Sequence, residues 1–198
     1  MTLPWGTSDW HFGHERLRAE YQPERGKLWA NVDEMTEGLI ANHNSLVGKE
    51  DDVYFLGDVS WLDRKKTQDI LYRLNGRLHL ILGNHDRKGS MYEPSEIIMH
   101  SKDRWVWIKD YHEMEVKCGR TGKKWHFNLF HFPIKSFHWM GRKAVHLHGH
   151  SHSDFLQEDK TVRRFDVGVD ANKFFPVSFQ TIIDLAEKTK FEPKKDEY

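Results

Sequence analysis

Apolar residues at helical spacing alternate with short apolar runs in the first half of the chain. From Val32 to Val47 they recur every three or four positions, which predicts a helix with Gly48 as its C-cap. The stretch from Leu62 to Leu74 predicts a second helix by the same spacing. Near the end of the chain, Ser178 is placed to cap a closing helix that runs through about Lys188.

Short apolar runs bounded by turn residues predict the strands. In the first half they are Asp52 to Leu56, Arg77 to Leu82 and Leu3 to Thr7, where Pro4 and Gly6 disfavour a long strand. The second half predicts more strands, which are Arg104 to Ile108, Glu113 to Lys117, Trp125 to Phe130, Ala144 to His148 and Arg164 to Val169. This order fits two packed mixed sheets flanked by helices, an α/β architecture (α+β in some schemes).

The length and charge of the chain limit what kind of protein it can be. Its 198 residues suit one domain, 1–198, in which the polar residues 191–198 are expected to fray. The 30 basic and 30 acidic residues balance, so strong non-specific DNA binding is not expected. Cys118 is the only cysteine, which excludes an internal disulfide and argues against a thiolate zinc site. The sequence does not indicate an oligomeric state.

Targeting signals are not evident in the sequence. The first residues lack the basic and apolar regions of a secretory signal, and no apolar run approaches the roughly 18 residues of a membrane span. We therefore expect a cytoplasmic protein without a membrane partner.

The 14 histidines are the unusual feature of the composition. Several stand beside Asp, Asn or Gly directly after a predicted strand. Five such polar clusters follow five apolar runs: Asp9-Trp10-His11, Gly57-Asp58, Gly83-Asn84-His85-Asp86, His131 and His150-Ser151-His152. Because sites assemble where the strands of such sheets end, we expect these clusters to meet.

The spacing within the clusters suits metal binding. Residues two apart in an extended segment point the same way, so Asp9 and His11 can reach one metal together. His150 and His152 share a side in the same manner, and Asp58 can bridge two ions. Imidazole, carboxylate and amide ligands suit Mn, Fe, Zn, Ni or Co, and the spacing does not choose among these ions. We take Mn as the first expectation. Two such ions would clamp both sides of a phosphoryl displacement.

The order of these motifs resembles the calcineurin-like metallophosphoesterases. The series D-x-H, G-D, G-N-H-D, H and G-H-x-H is similar to that of small bacterial and phage members whose motif begins S-D-x-H-F-G-H, here Ser8 to His14. The resemblance runs from about Thr7 to Phe179. It implies a four-layer α-β-β-α sandwich of two mixed sheets, with the metal site at the strand ends.

The resemblance also implies a role for each motif residue. Asp9, His11, Asp58 and His152 would hold one divalent metal ion, and Asp58, Asn84, His131 and His150 would hold the second. A metal-bridging hydroxide would attack phosphorus. His85 would stabilise charge or protonate the leaving oxygen, and Asp86 would orient His85 and fix its tautomer.

Other residues near the motifs are candidates for contact with the substrate. His14 would face the substrate phosphate or bond locally at the start of a helix, and Arg87 would attract an anionic substrate. The aromatic residues of the loop at 137–139 could stack a nucleobase or pack on the core. We interpret His146 and His148 as strand packing rather than ligands.

The leading interpretation is a metal-dependent phosphoric ester hydrolase with a small phosphorylated, nucleotide-like substrate, either a phosphodiester or a phosphomonoester. One alternative is a nuclease that acts on DNA or RNA ends, and the neutral net charge argues mildly against it. The other is a catalytically silent scaffold of the same fold, but Asn84, His85 and all the apparent ligands are retained.

Overall fold

Two β-sheets form the centre of the molecule in a computed structural model that describes residues 3–87, 93–157 and 159–190. The first sheet has the order β4-β3-β2-β1-β9, and the second has the order β5-β6-β7-β8. Among the strands of the described residues most neighbours are parallel, and two pairs, β9 with β1 and β5 with β6, run antiparallel. The bounds are β1 Trp5–Thr7, β2 Asp52–Phe55, β3 Arg77–Ile81, β4 Trp105–Lys109, β5 Tyr111–Lys117, β6 Lys124–Phe130, β7 Val145–His148, β8 Arg164–Asp166 and β9 Val177–Ser178.

Five α-helices accompany the sheets in the described part of the chain: α1 Pro23–Leu28, α2 Val32–Leu46, α3 Arg64–Arg73, α4 Glu96–His100 and α5 Phe179–Lys188. Side-chain oxygens cap four of them by accepting a main-chain N–H of the first turn; the capping residues are Asn31, Asp63, Ser95 and Ser178. No helix among the described residues combines the length and the apolar character that crossing a bilayer requires.

Strands β2, β3 and β4 of the first sheet divide their side chains between two cores. In β2, Val53 and Phe55 join the core with α2 and α3, whereas Tyr54 joins the core between the two sheets. The second core also contains Phe127 of β6 and one face of α5, including Phe179. The alternation follows from the two-residue period of a strand.

The predicted architecture of two mixed sheets flanked by helices is confirmed. The predicted C-cap at Gly48 is wrong: α2 ends at Leu46, and Val47 is extended and buried as the C-cap. The opening strand has only three residues, and the short helices α1 and α4 were not predicted. The predicted fraying of 191–198 lies outside the described residues.

His43 is a buried histidine on the inner face of α2. Its side chain is fully buried, its ring packs edge-on against Trp10, and its Nε2 lies 2.9 Å from the carbonyl oxygen of Asn75. Burial lowers the pKa of His43 from 6.5 to about 4. The unfolded chain therefore binds a proton at this position between about pH 6.5 and pH 4, and the folded protein does not.

This difference predicts a loss of stability in mild acid. For the metal-free protein, we expect the contribution of His43 to the free energy of unfolding to be complete above pH 6.5 and to fall as the pH drops to 4, by about 2–3 kcal/mol. The measurement is urea unfolding of the wild type and of His43→Gln, which has no titrating ring, across this range. The difference between the two proteins should shrink as the pH falls. A constant difference for His43→Gln would contradict the assignment.

Candidate metal centre

The loops that follow the parallel strands of both sheets meet at one end of the molecule. The loop after β1 lies beside the loop after β2, because Asp9 N–H donates to the Gly57 carbonyl at 3.0 Å. The loop after β7 is joined to the end of β6 by a hydrogen bond from Gly149 N–H to the His131 carbonyl at 2.9 Å. His150 N–H, in turn, lies 3.1 and 2.9 Å from the two carboxylate oxygens of Asp9, which links the two sheets.

Several candidate ligands have left-handed backbone conformations. Their φ angles lie between 47° and 67° at Asp9, His11, Asp58, His150 and His152. Each such residue costs about 1–3 kcal/mol when it is not glycine, and such strain clusters at functional sites. The sequence argument placed Asp9 and His11 together on an extended segment, and this detail is wrong. Their side chains reach the same group because the loop turns at both residues.

Two glycines allow the loops to approach the carboxylates closely. A Cβ atom at Gly83 would overlap the carboxylate of Asp58, and one at Gly149 would overlap the carboxylate of Asp9. Any side chain at either position would therefore push a candidate ligand out of place.

One group of candidate ligands consists of Asp9, His11 and His152, whose ligand atoms all lie within 4.8 Å of one another. The carboxylate of Asp9 and the ring of His11 are buried. Nε2 of His152 is 4.0 Å from Oδ1 of Asp9. Nε2 of His11 is buried and has no hydrogen-bond partner among the described residues. A nitrogen without a hydrogen-bond partner, next to carboxylate oxygens, is suited to bind a cation.

A second group consists of Asp58, His131 and His150, again with ligand atoms within 4.8 Å of one another. The side-chain oxygen of Asn84 completes it, at 3.0 Å from Nε2 of His131 and 3.0 Å from Nδ1 of His150. Ligand atoms at neighbouring positions around an ion, with bonds of about 2.1 Å, lie about 3 Å apart. The donors of this group therefore fit a divalent ion.

Asp58 lies between the two groups. Its Oδ2 is 3.5 Å from Nε2 of His11 and 3.6 Å from Nε2 of His131. The side chain is only 2% exposed. A carboxylate in this position can contribute to two coordination spheres at once, as the sequence motif implies.

Hydrogen bonds outside the cluster orient two of the histidine rings. Nδ1 of His131 lies 2.6 Å from the Leu56 carbonyl, and Nδ1 of His152 lies 2.7 Å from the carboxylate of Asp170. Since these partners are acceptors, each Nδ1 carries the proton and each Nε2 presents a lone pair to the cluster. His11 differs, because its Nδ1 accepts a hydrogen bond from the Trp61 indole at 3.0 Å. Binding of a metal at its Nε2 would require Trp61 to release this bond.

The charges of the cluster also favour a cation. Burial raises the pKa of Asp9 well above its usual value, and the nearby carboxylates of Asp58 and Asp166 raise it further. Burial and the carboxylate of Asp86 raise the pKa of Asp58 to about 7. Divalent ions at this place would compensate the buried negative charge and hold these groups in their ionised form.

The structure corrects the role expected of Asp86. Its buried carboxylate accepts main-chain N–H groups from Asp58, Val59 and Gly83, at 2.8, 3.0 and 2.9 Å. Within the described residues it makes no hydrogen bond to the His85 ring. Asp86 therefore fastens the loop after β2 to the loop after β3, and it fixes His85 through the backbone.

Arg25 is important for the site and was not identified from the sequence. Its guanidinium group is fully buried and forms a two-point ion pair with Asp170, at 2.7 and 2.8 Å. It also donates to the carbonyl groups of Asp9 and Trp10, at 2.6 and 2.9 Å. Because Asp170 accepts from His152, Arg25 supports two candidate ligands. No local pattern reveals it, since it pairs with a residue 145 positions away.

His85, His14 and Trp61 lie at the edge of the cluster. The His85 side chain is 40% exposed, with its Nε2 4.0 Å from Oδ2 of Asp58. The ring of His14 stacks on Trp61 with centroids 4.2 Å apart, and Trp61 in turn lies 4.9 Å from the ring of His85. Trp61 is 48% exposed and was not identified from the sequence.

The remaining candidates, which are Arg87, His146, His148 and the loop at 137–139, lie outside the two groups of potential metal ligands. Arg87 donates to Asp110 at 2.7 Å, so its expected contact with substrate stays a prediction. His146 and His148 are buried in β7 and bond to main-chain carbonyl groups, as expected for strand packing. The aromatic residues of the 137–139 loop pack over the outer face of the second sheet, where Trp139 contacts His126.

Comparison with known proteins identifies relatives along nearly the whole chain. A scan against models of protein families finds no match. The uncharacterized protein MJ1445 of Methanocaldococcus jannaschii is 31% identical in an alignment of length 189 that covers 92% of this chain and 90% of that protein. The gene 66 protein of Mycobacterium phage D29 is 33% identical in an alignment of length 189 that covers 86% of this chain and 89% of that protein.

A solved structure has the same fold. It is the protein of unknown function AQ665 from Aquifex aeolicus, which matches with a TM-score of 0.66 at 23% identity. The match covers 92% of this chain and 98% of that chain.

The buried ion pair between Arg25 and Asp170 predicts a large loss of stability when the guanidinium group of Arg25 is removed. In Arg25→Met, the Asp170 carboxylate stays buried without its ion pair, and two loop carbonyls lose their donors. We expect a loss of about 3–5 kcal/mol in the free energy of unfolding, measured with urea in the presence of EDTA. The control is Arg73→Met, which removes an exposed pair with Glu37 and should cost about 1 kcal/mol or less. Similar losses in both variants would show that Arg25 has no special role.

Proposed function

We propose that this chain, which belongs to the family of MJ1445 and the mycobacteriophage gene 66 proteins, is a metal-dependent phosphoesterase of the calcineurin-like type. The proposed substrate is a small nucleotide-like phosphodiester or phosphomonoester, and the proposed cofactors are two divalent ions, with Mn²⁺ as the first candidate.

The position of Asp58 carries this proposal. Its Oδ2 lies nearly equally far from His11 Nε2 and His131 Nε2, at 3.5 and 3.6 Å, and so between two sets of donors. Two divalent ions bound there would lower the pKa of water and neutralise charge on a phosphate group. A group of nitrogen and oxygen donors without sulfur suits ions of this kind.

The protein's own residues have distinct roles in this chemistry. Asp86 holds the loops of Asp58 and His85 in register through three main-chain N–H groups. His85 is half-exposed beside Asp58, where its ring can contact a phosphate oxygen or supply a proton to the leaving oxygen. Burial lowers the pKa of His85, so the ring of the metal-free protein is neutral more often than an exposed imidazole. The proposed catalytic role of His85 therefore rests on its position.

The aromatic edge of the site favours a nucleotide-like substrate. The ring of His14 stacks face to face on the exposed indole of Trp61, which lies next to His85. Exposed aromatic rings bind nucleobases by stacking, which contributes about 1–3 kcal/mol per base. A substrate whose phosphate reaches the cluster would have its base within reach of this surface.

The first test is metal-dependent hydrolysis. We expect EDTA-treated protein to hydrolyse bis-p-nitrophenyl phosphate only after Mn²⁺ is added. We expect Asp58→Asn to lower kcat/KM about 100-fold or more, since even changes behind a ligand cost about 10–100-fold. Asp69→Asn on the exposed face of α3 is the matched control and should leave the rate unchanged. Absence of turnover with Mn²⁺, Fe²⁺, Zn²⁺, Ni²⁺ and Co²⁺, or full activity of Asp58→Asn, would overturn the proposal.

The second test concerns the proton at His85. We expect His85→Ala to bind Mn²⁺ with unchanged stoichiometry and to lower kcat about 10²–10⁴-fold. The loss should be larger for a nucleoside phenyl phosphodiester than for its p-nitrophenyl analogue, because the poorer leaving group needs the proton more. His100→Ala is the control. An equal loss with both esters would assign charge stabilisation to His85 instead of proton transfer, and no loss would remove it from catalysis.

A further inference from the structure

Three potential ligands lie together on the outer face of the second sheet, outside the cluster described above. Glu113 is on β5 and His126 on the neighbouring β6, where they are diagonal partners. His138 belongs to the loop between β6 and β7. One ligand atom from each of these three residues lies within 4.8 Å of the others.

A single carboxylate oxygen organises this group. Oε2 of Glu113 is 2.9 Å from Nε2 of His126 and 2.7 Å from Nδ1 of His138. Both nitrogens thus already point at the same place. Two imidazoles and one carboxylate on one side of an ion form a common arrangement for divalent transition metals, with the remaining positions open to water.

Neighbouring side chains contact two of the three ligands. The Tyr111 hydroxyl lies 2.7 Å from the other oxygen of Glu113, Oε1, and 2.6 Å from Oδ1 of Asn128, so it can donate its proton to either oxygen and leaves Oε2 of Glu113 for the group. The amide of Asn128 donates to the main-chain carbonyl of His138 at 3.1 Å, which fixes the loop over the sheet. Support of this kind behind the ligands is typical of metal sites.

The charge and access of the group also suit a cation. Partial burial raises the pKa of Glu113, but hydrogen bonds from His138, Tyr111 and His126 outweigh it and bring the pKa to about 2. The carboxylate is therefore ionised at neutral pH. The His138 side chain is 49% exposed, so an ion has a route from solvent.

We propose that Glu113, His126 and His138 form a separate site for one divalent transition-metal ion of the zinc class. The ion would join the sheet to the loop at 132–143, whose first residues follow directly on His131 of the metal centre. Its role is structural: it holds that loop in one conformation. The site is independent of catalysis, because the carboxylate and both imidazoles lie outside the groups that contain Asp58.

The test measures bound zinc in four proteins: wild type, His138→Ala, Glu113→Gln and His100→Ala. Each is dialysed to equilibrium against Zn²⁺ and analysed for metal per chain. We expect both variants of the group to bind one equivalent fewer than wild type, and the exposed control His100→Ala to match wild type. The same comparison in an Asp58→Asn background removes the contribution of the metal centre, and the difference of one equivalent should persist there.

Hydrogen exchange gives an independent measurement. Zn²⁺ should slow the exchange of backbone amides in residues 134–143 of wild type and His100→Ala, and should leave this segment unchanged in His138→Ala. Urea unfolding in EDTA checks that each variant is folded. If His138→Ala is not folded, Glu113→Gln takes its place in the exchange measurement. Equal zinc content in wild type and in a folded variant of the group would overturn the proposal, even if the phosphoesterase assay succeeds.

Discussion

The burial of four carboxylates at the ends of two sheets is the constraint on which the rest of this structure depends. Asp9, Asp58, Asp86 and Asp166 are each no more than 2% exposed. A buried carboxylate needs donors or cations, and the loops supply donors from their main chain. The left-handed conformations of the loops bring N–H groups toward these oxygens. The strained backbone is thus a consequence of where the negative charge lies.

The four carboxylates divide into two kinds. Asp86 and Asp166 are each satisfied by main-chain N–H groups and hold loops together. Asp9 and Asp58 accept fewer such bonds and face the histidine rings. Burial raises the pKa of all four carboxyl groups, so the two kinds differ in their partners and not in the direction of this shift. Asp86 and Asp166 fix the loops, and the carboxylates of Asp9 and Asp58 therefore remain available to bind a cation. This division explains how a cluster of like charges can be built in advance of a ligand.

The sequence predicted the sheets well and the supporting contacts poorly. The short apolar runs of β2 and β3 reflect burial on both faces of the sheet, so these strands could be located within a residue or so. The order of the motifs at the strand ends was equally readable, since parallel strands bring their carboxyl ends together. Arg25 and Trp61 could not be found in this way, because each acts on residues far along the chain with no local pattern. The role expected of Asp86 came from the resemblance, which implied a contact with the His85 ring, but the turn directs the carboxylate back toward the main chain.

The distance along the chain between the parts of the metal centre has a consequence for synthesis of the protein. Asp9 and His150 are in hydrogen-bond contact although 141 positions separate them. A growing chain therefore cannot assemble the centre until β7 and its loop have left the ribosome and the second sheet has docked. Such long-range contacts form late and slowly in folding. The proposed binding of metal at this centre would therefore require the complete fold, and truncated or half-folded chains would be unable to retain the ions.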